Sequence, residues 1–168
     1  MALSGGAAGC LPQAAGSVTI TSIGPIQNMH VEVTGLPPKT GFDFFVIQVP
    51  KAPFGMAWYQ GDIRTDQNGV GVGDFTGVFS DETFAVAQGA APAPAIFKHG
   101  PFPDATTNPV TQPLQMYHLG LWFDSPTAAA NAGCASTVTP FNGTHNAGIQ
   151  VLNTANFPDT AGPLLHLN

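Results

Sequence analysis

The stretch Asn28-Met29-His30-Val31-Glu32-Val33-Thr34 alternates without a break, with apolar Met29, Val31 and Val33 set against polar His30, Glu32 and Thr34. Successive side chains of an extended chain point to opposite faces, so period two marks a strand with one face in a core. The turn Gly35-Leu36-Pro37-Pro38-Lys39-Thr40-Gly41 follows, because consecutive prolines cannot continue a ladder. Residues 42–49 are then apolar on both sides: Phe42, Phe44 and Val46 against Phe45, Ile47 and Val49. Such a strand is central in its sheet, or its second face meets something else.

The same signals recur outward from this centre. Residues 17–23 form a β-type run around Thr19, Ile20 and Thr21. In residues 57–65, alternation puts Trp58, Gln60, Asp62 and Arg64 on one face and Tyr59 and Ile63 on the other. Asp66-Gln67-Asn68-Gly69 is a hairpin signal, since Asn-Gly supplies positive φ at little steric cost. Strands are expected again at 70–79, 83–87, 114–123 and 149–154; Gly71, Gly73 and Gly77 mark bulges or close approaches. Residues 88–113 read as one long loop, a length often associated with function. One short helix is expected, with Ser125 as N-cap, Pro126 at the first helical position and Gly133 ending it before Cys134. The sum is an all-β fold, an antiparallel β-sandwich or jelly roll of about eight or nine strands with one short helix. Residues 1–16 read as an N-terminal arm and 17–168 as a single β-sandwich domain.

The charge pattern excludes several partners. Lys39, Lys51, Arg64 and Lys98 are scattered through a chain of net charge -6, so no basic stripe exists to neutralise phosphates or anionic lipid. Nucleic acid is therefore not an expected partner. No apolar run approaches the ~20 residues that cross a bilayer, so no membrane span is expected. Only 8% of residues are charged, which removes much of the repulsion that keeps copies apart. Self-association, or association with another surface protein, is electrostatically cheap.

Cys10 and Cys134 read as a disulfide, in keeping with a secreted or cell-surface protein. The bond would staple the Gly/Ala-rich arm beside the expected helix. An alternative stays open, because Ala7-Ala8-Gly9-Cys10 resembles a lipobox and a lipidated Cys10 could not pair.

Motifs for chemistry are sparse. There is no GxSxG, and no HExxH or Cys/His cluster, so no cofactor is implied and whether the chain is an enzyme stays open. Asp62, Asp66 and Asn68 fail the EF-hand spacing and read as an Asx-type turn. A metal ion assembled from distant strands would use His118, Asp124 and His145. Trp58, Gln60, Asp62 and Trp122 would form an aromatic-polar patch for a carbohydrate if their strands share a sheet. Asn142-Gly143-Thr144 matches a glycosylation acceptor. Two functions follow as expectations. The first is an exported structural or interaction protein that self-assembles through its low-charge surface. The alternative is a secreted binder of carbohydrate or metal, conceivably a hydrolase.

Overall fold

The computed structural model describes residues 1–52, 54–79, 117–142, 145–165 and 167. Among them the chain order is β1 (Ala2–Leu3), β2 (Ala15–Ile23), β3 (Ile26–Thr34), β4 (Gly41–Ile47), β5 (Ala57–Arg64), β6 (Gly71–Gly77) and β7 (His118–Phe123). The helix α1 (Pro126–Asn131) comes next, then β8 (Thr139–Asn142), β9 (His145–Ala147) and β10 (Gln150–Asn153). A five-stranded sheet, ordered β1-β10-β7-β4-β5, and a three-stranded sheet, ordered β2-β3-β6, form the sandwich; β8 and β9 make a separate hairpin. The pairings are antiparallel. The expected strand at 83–87, the loop at 88–113, and Gly143 and Thr144 of the acceptor triplet lie outside the described residues.

Period two acts here as physics requires. Met29, Val31 and Val33 of β3 are fully buried in one core with Phe42, Phe44 and Val46 of β4 and Leu119, Leu121 and Phe123 of β7. Phe42 meets Phe123 with ring centroids 4.9 Å apart, and Phe44 stacks on Phe75 at 5.5 Å. Strand β4 is central, flanked by β7 and β5, and its other face builds a smaller cluster of Phe45, Ile47, Trp122 and Ala147. Both explanations of its double hydrophobicity therefore hold.

The turn at Asp66 forms as expected, with Gly69 at φ 75°. The Asp66 carboxylate accepts from the N–H groups of Asn68 (2.7 Å) and Val70 (3.0 Å). These backbone bonds hold its carboxyl below the usual range, and they are the Asx-type turn read from the sequence. The strands it joins do not stay paired as a hairpin. β5 belongs to the five-stranded sheet and β6 to the three-stranded one, with an isolated Thr65–Gly71 bridge at the corner. Close approach explains the crossing: a Cβ on Gly71 or Gly73 would lie 2.8 or 2.9 Å from the Ile63 side chain.

The helix starts where its cap dictates. Ser125 Oγ accepts the Ala128 N–H at 3.2 Å, Pro126 follows, and Gly133 at φ 76° ends the turn. Cys134 is then bonded to Cys10 across a sequence separation of 124, with Cα atoms 5.2 Å apart. The N-terminal segment is also tied by pairing. β1 adds to β10, the Ser4 N–H donates to the Val151 carbonyl at 2.9 Å, and Ala7 is buried. No helix among the described residues is long and apolar enough to cross a membrane.

A disulfide closing so long a loop restricts the unfolded chain most. Cys10→Ser/Cys134→Ser should lower unfolding free energy by up to about 4–5 kcal/mol, read as a lower urea midpoint. A smaller loss would show how much the β1–β10 pairing holds by itself.

Candidate functional site

One extra residue in β5 decides what the outer face of the five-stranded sheet presents. The β4–β5 register runs Phe44 to Gly61 and Phe45 to Tyr59, so Gln60 has no partner and the alternation shifts. Trp58 consequently shares the inner face with Val46, its ring 6.0 Å from that of Phe79. Tyr59 and Asp62 come to the outer face, beside Phe45 and Asp43. The face expected to unite Trp58, Gln60, Asp62 and Arg64 is split at the bulge, and Gln60 donates to the Trp58 carbonyl at 3.1 Å. Trp122, on β7, takes the outer face and is 2% exposed. The two tryptophans thus lie on opposite faces of one sheet, and an aromatic-polar patch shared by both is not formed.

An apolar cleft of about 860 Å³ occupies that outer face, lined by Phe45, Ile47, Phe54, Trp122, Pro140 and Ala147 among others. Its floor is built edge to face: the indole of Trp122 meets Phe45 at 5.3 Å and 79°, and Phe54 at 5.0 Å and 86°. Gly120 makes this possible, since a Cβ there would stand 2.3 Å from the indole. Phe54 is carried by the 48–56 loop, which closes through Gln48 N–H to the Met56 carbonyl (2.8 Å) and Val49 N–H to the Phe54 carbonyl (3.1 Å). The buried Gln48 side chain accepts the Met56 N–H at 3.1 Å and fixes the loop further. On the opposite side the β8–β9 hairpin supplies Thr139, Pro140 and Ala147.

Beside the cleft lies an acidic end. Asp43 stands on β4 in register with Trp122 on one side and Asp62 on the other, and it is 0% exposed. Neither carboxylate oxygen has a hydrogen-bond partner among the described residues, and the same is true of the buried Trp122 Nε1. His145 Nε2 approaches Asp43 Oδ2 to 3.6 Å from β9, and the Tyr59 hydroxyl donates to Asp62. Burial pushes the Asp43 carboxyl up to about 6; His145 opposes this, while Asp62 and Asp124 reinforce it. Burial and the bond to Asp62 also push the Tyr59 phenol up. Buried charge without hydrogen bonds is costly, so this is where the fold sacrifices stability.

The three residues expected to hold a metal are not brought together. His118 opens β7 and Asp124 follows its last residue, and among the described residues no group of three His, Cys, Asp or Glu could hold a metal ion. His118 is buried and anchors the C-terminal segment: Nε2–H donates to the Asp159 carbonyl at 3.2 Å, and Nδ1 meets Thr154 Oγ1 at 2.9 Å. Thr154 Oγ1 in turn accepts the Leu119 N–H at 3.0 Å. Burial lowers the His118 pKa, in keeping with a neutral ring whose two nitrogens are both used. Asp124 accepts a bond from Ser125 Oγ at 2.9 Å and acts on Asp43 through its charge, while His145 approaches Asp43 Oδ2 directly.

No family model matches the chain, and no curated protein matches its sequence. Sequence reasoning missed Asp43, Tyr59, Phe45 and Phe54 as site residues. A signal for the first was present, because Asp43 is the lone charge in the apolar run 42–47.

The Asp43 shift has a definite sign. The folded state holds this proton more tightly than the unfolded chain, so the associated stability is present at pH 4 and lost as pH rises through about 6. Asp43→Asn should match the native chain at pH 4 and exceed it by about 1–3 kcal/mol at pH 7.5 in urea melts. An equal gap at both pH values would contradict the assignment.

Proposed function

We propose that this is a binding protein working outside the cytoplasm, whose outer-face cleft takes a small, largely apolar ligand with a hydrogen-bond-donating end. One observation carries the reading: an aromatic-floored cleft of about 860 Å³ stands next to a buried carboxylate that has no hydrogen-bond donor among the described residues. Ligand sites are commonly apolar concavities with few convergent polar groups, often including one of perturbed pKa. Asp43 and Asp62 suit a hydroxyl or ammonium donor, and Phe45, Phe54 and Trp122 suit the apolar body. The buried position of Trp122 favours an inserted ligand over a sugar laid on an open platform. The Cys10–Cys134 bond supports a secreted or cell-surface location.

The neutral fluorophore N-phenyl-1-naphthylamine tests this directly. It should bind saturably at one site, and Ala52→Trp, at an exposed cleft-lining position, should weaken binding about tenfold or more. Non-saturable binding, or a variant that binds equally well, would remove the support.

A second reading, association between copies of the chain, is favoured by the low charge of the surface and by the edge of β2, which is unpaired among the described residues. Sedimentation velocity at rising concentration should show a reversible shift to a larger species. A strict monomer would exclude it.

A further inference from the structure

Sheet edges are where a sandwich manages its neighbours, and the edges here differ. β1 is two residues long, too short to template another chain. β5 carries the Gln60 bulge together with Asp62 and Arg64, and β6 carries Asp74 and touches β5 through the Thr65–Gly71 bridge. These are the usual protections against edge pairing. Among the described residues β2 has none of them. Its nine residues, Ala15 to Ile23, hold no charge, no proline and no bulge, and are rich in Val, Thr and Ile.

The direction of its free hydrogen-bonding groups follows from one contact. The Met1 amine donates to the Gly16 carbonyl at 2.6 Å, so Gly16 points away from β3. A strand residue directs its N–H and C=O to the same side, and the β2–β3 register is unbroken from Ala15 to Ile23. Val18, Ile20 and Ser22 therefore point both groups outward, where no backbone partner meets them among the described residues. Beside them a groove of about 520 Å³, lined by Val18, Ile20, Leu119, Phe157 and Leu164 among others, leaves the inner side of β2 open.

We propose that β2 pairs antiparallel with β2 of a second copy, about a two-fold axis at Ile20, joining the two three-stranded sheets into one of six strands. The proposal rests on the self-association reading above and names its surface. In this register Ile20 faces its own copy and Val18 faces Ser22, which uses the outward groups of all three residues. Opposing residues keep the same face, so Val18 and Ile20 of the two copies extend one apolar layer over the groove, while Thr19 of each chain faces Thr21 of the other on the solvent side. A second copy is the fitting occupant because the edge is uncharged. Pairing it with itself sets no like charges opposite one another, in a chain whose net charge of -6 lies elsewhere.

Two variants at exposed Thr19 and Thr21 test the register without disturbing the core. Thr19→Lys/Thr21→Lys places like charges opposite each other twice and should raise the dimer Kd about tenfold or more. Thr19→Lys/Thr21→Glu places opposite charges in the same two positions and should restore the dimer. Ile20→Cys supplies a second measurement: paired Cα atoms about 5.5 Å apart allow a disulfide, so mild oxidation should give covalent dimers on a non-reducing gel. Ser22→Cys should give few, because its copies lie roughly 13 Å apart in this register. A dimer indifferent to the Lys/Lys change, or cross-linking equal at both positions, would overturn the β2 interface while leaving self-association standing. A strict monomer at high concentration would sink both.

Discussion

Strand β4 serves two cores at once. Phe42, Phe44 and Val46 fill the sandwich interior, while Phe45 and Ile47, one residue out of phase, build the outer cluster with Trp122. A strand committed on both faces has no freedom of register, because a slip by one residue would exchange the two sets completely. This fixes β7 and β5 beside it, and through them the place of every outer-face group. Asp43 is held in that lock. It sits between Trp122 and Asp62 in register, with its carboxylate buried.

The bulge at Gln60 then decides the chemistry next to it. With perfect alternation Trp58 would face outward and Tyr59 inward. The inserted residue reverses this and sets the Tyr59–Asp62 pair against Asp43. Bulges commonly re-aim side chains in this way. The same irregularity makes β5 a poor template for another strand, so one local feature both builds the acidic end and protects an edge.

Most of the fold was legible because its signals are local. The alternation at 28–34, the double hydrophobicity at 42–49 and the Ser125, Pro126 and Gly133 markers each act over a few residues, and each appears where its spacing puts it. The disulfide was legible from composition. The site was much less so. A bulge has no unambiguous mark in Ala57–Arg64, so period two continued through Gln60 misassigned the faces of Trp58 and Tyr59. The β8–β9 hairpin, which brings His145 to Asp43, is masked in the sequence by Pro140, a ladder breaker set among the strand formers Val138, Thr139 and Phe141. The metal set failed on distance along the chain: His118 opens β7 and Asp124 lies just past its other end, and His118 is consumed by Thr154 and the Asp159 carbonyl.

The two proposed binding surfaces are physically separate. The cleft lies on the outward face of the five-stranded sheet, whereas β2 is an edge of the three-stranded sheet across the core. Pairing through β2 as proposed would lengthen the far layer and leave Phe45, Phe54 and Trp122 untouched, so the two properties should vary independently under substitution. A dimer of this kind would carry two clefts on one rigid body. A partner displaying the ligand in several copies would then be held at an effective concentration set by the spacing of those clefts. Low surface charge has a role in both halves of this arrangement. On the proposed readings it removes a barrier to β2 meeting its own copy, and it leaves Asp43 with His145 at 3.6 Å as a basic neighbour and room for a ligand's donor from the cleft.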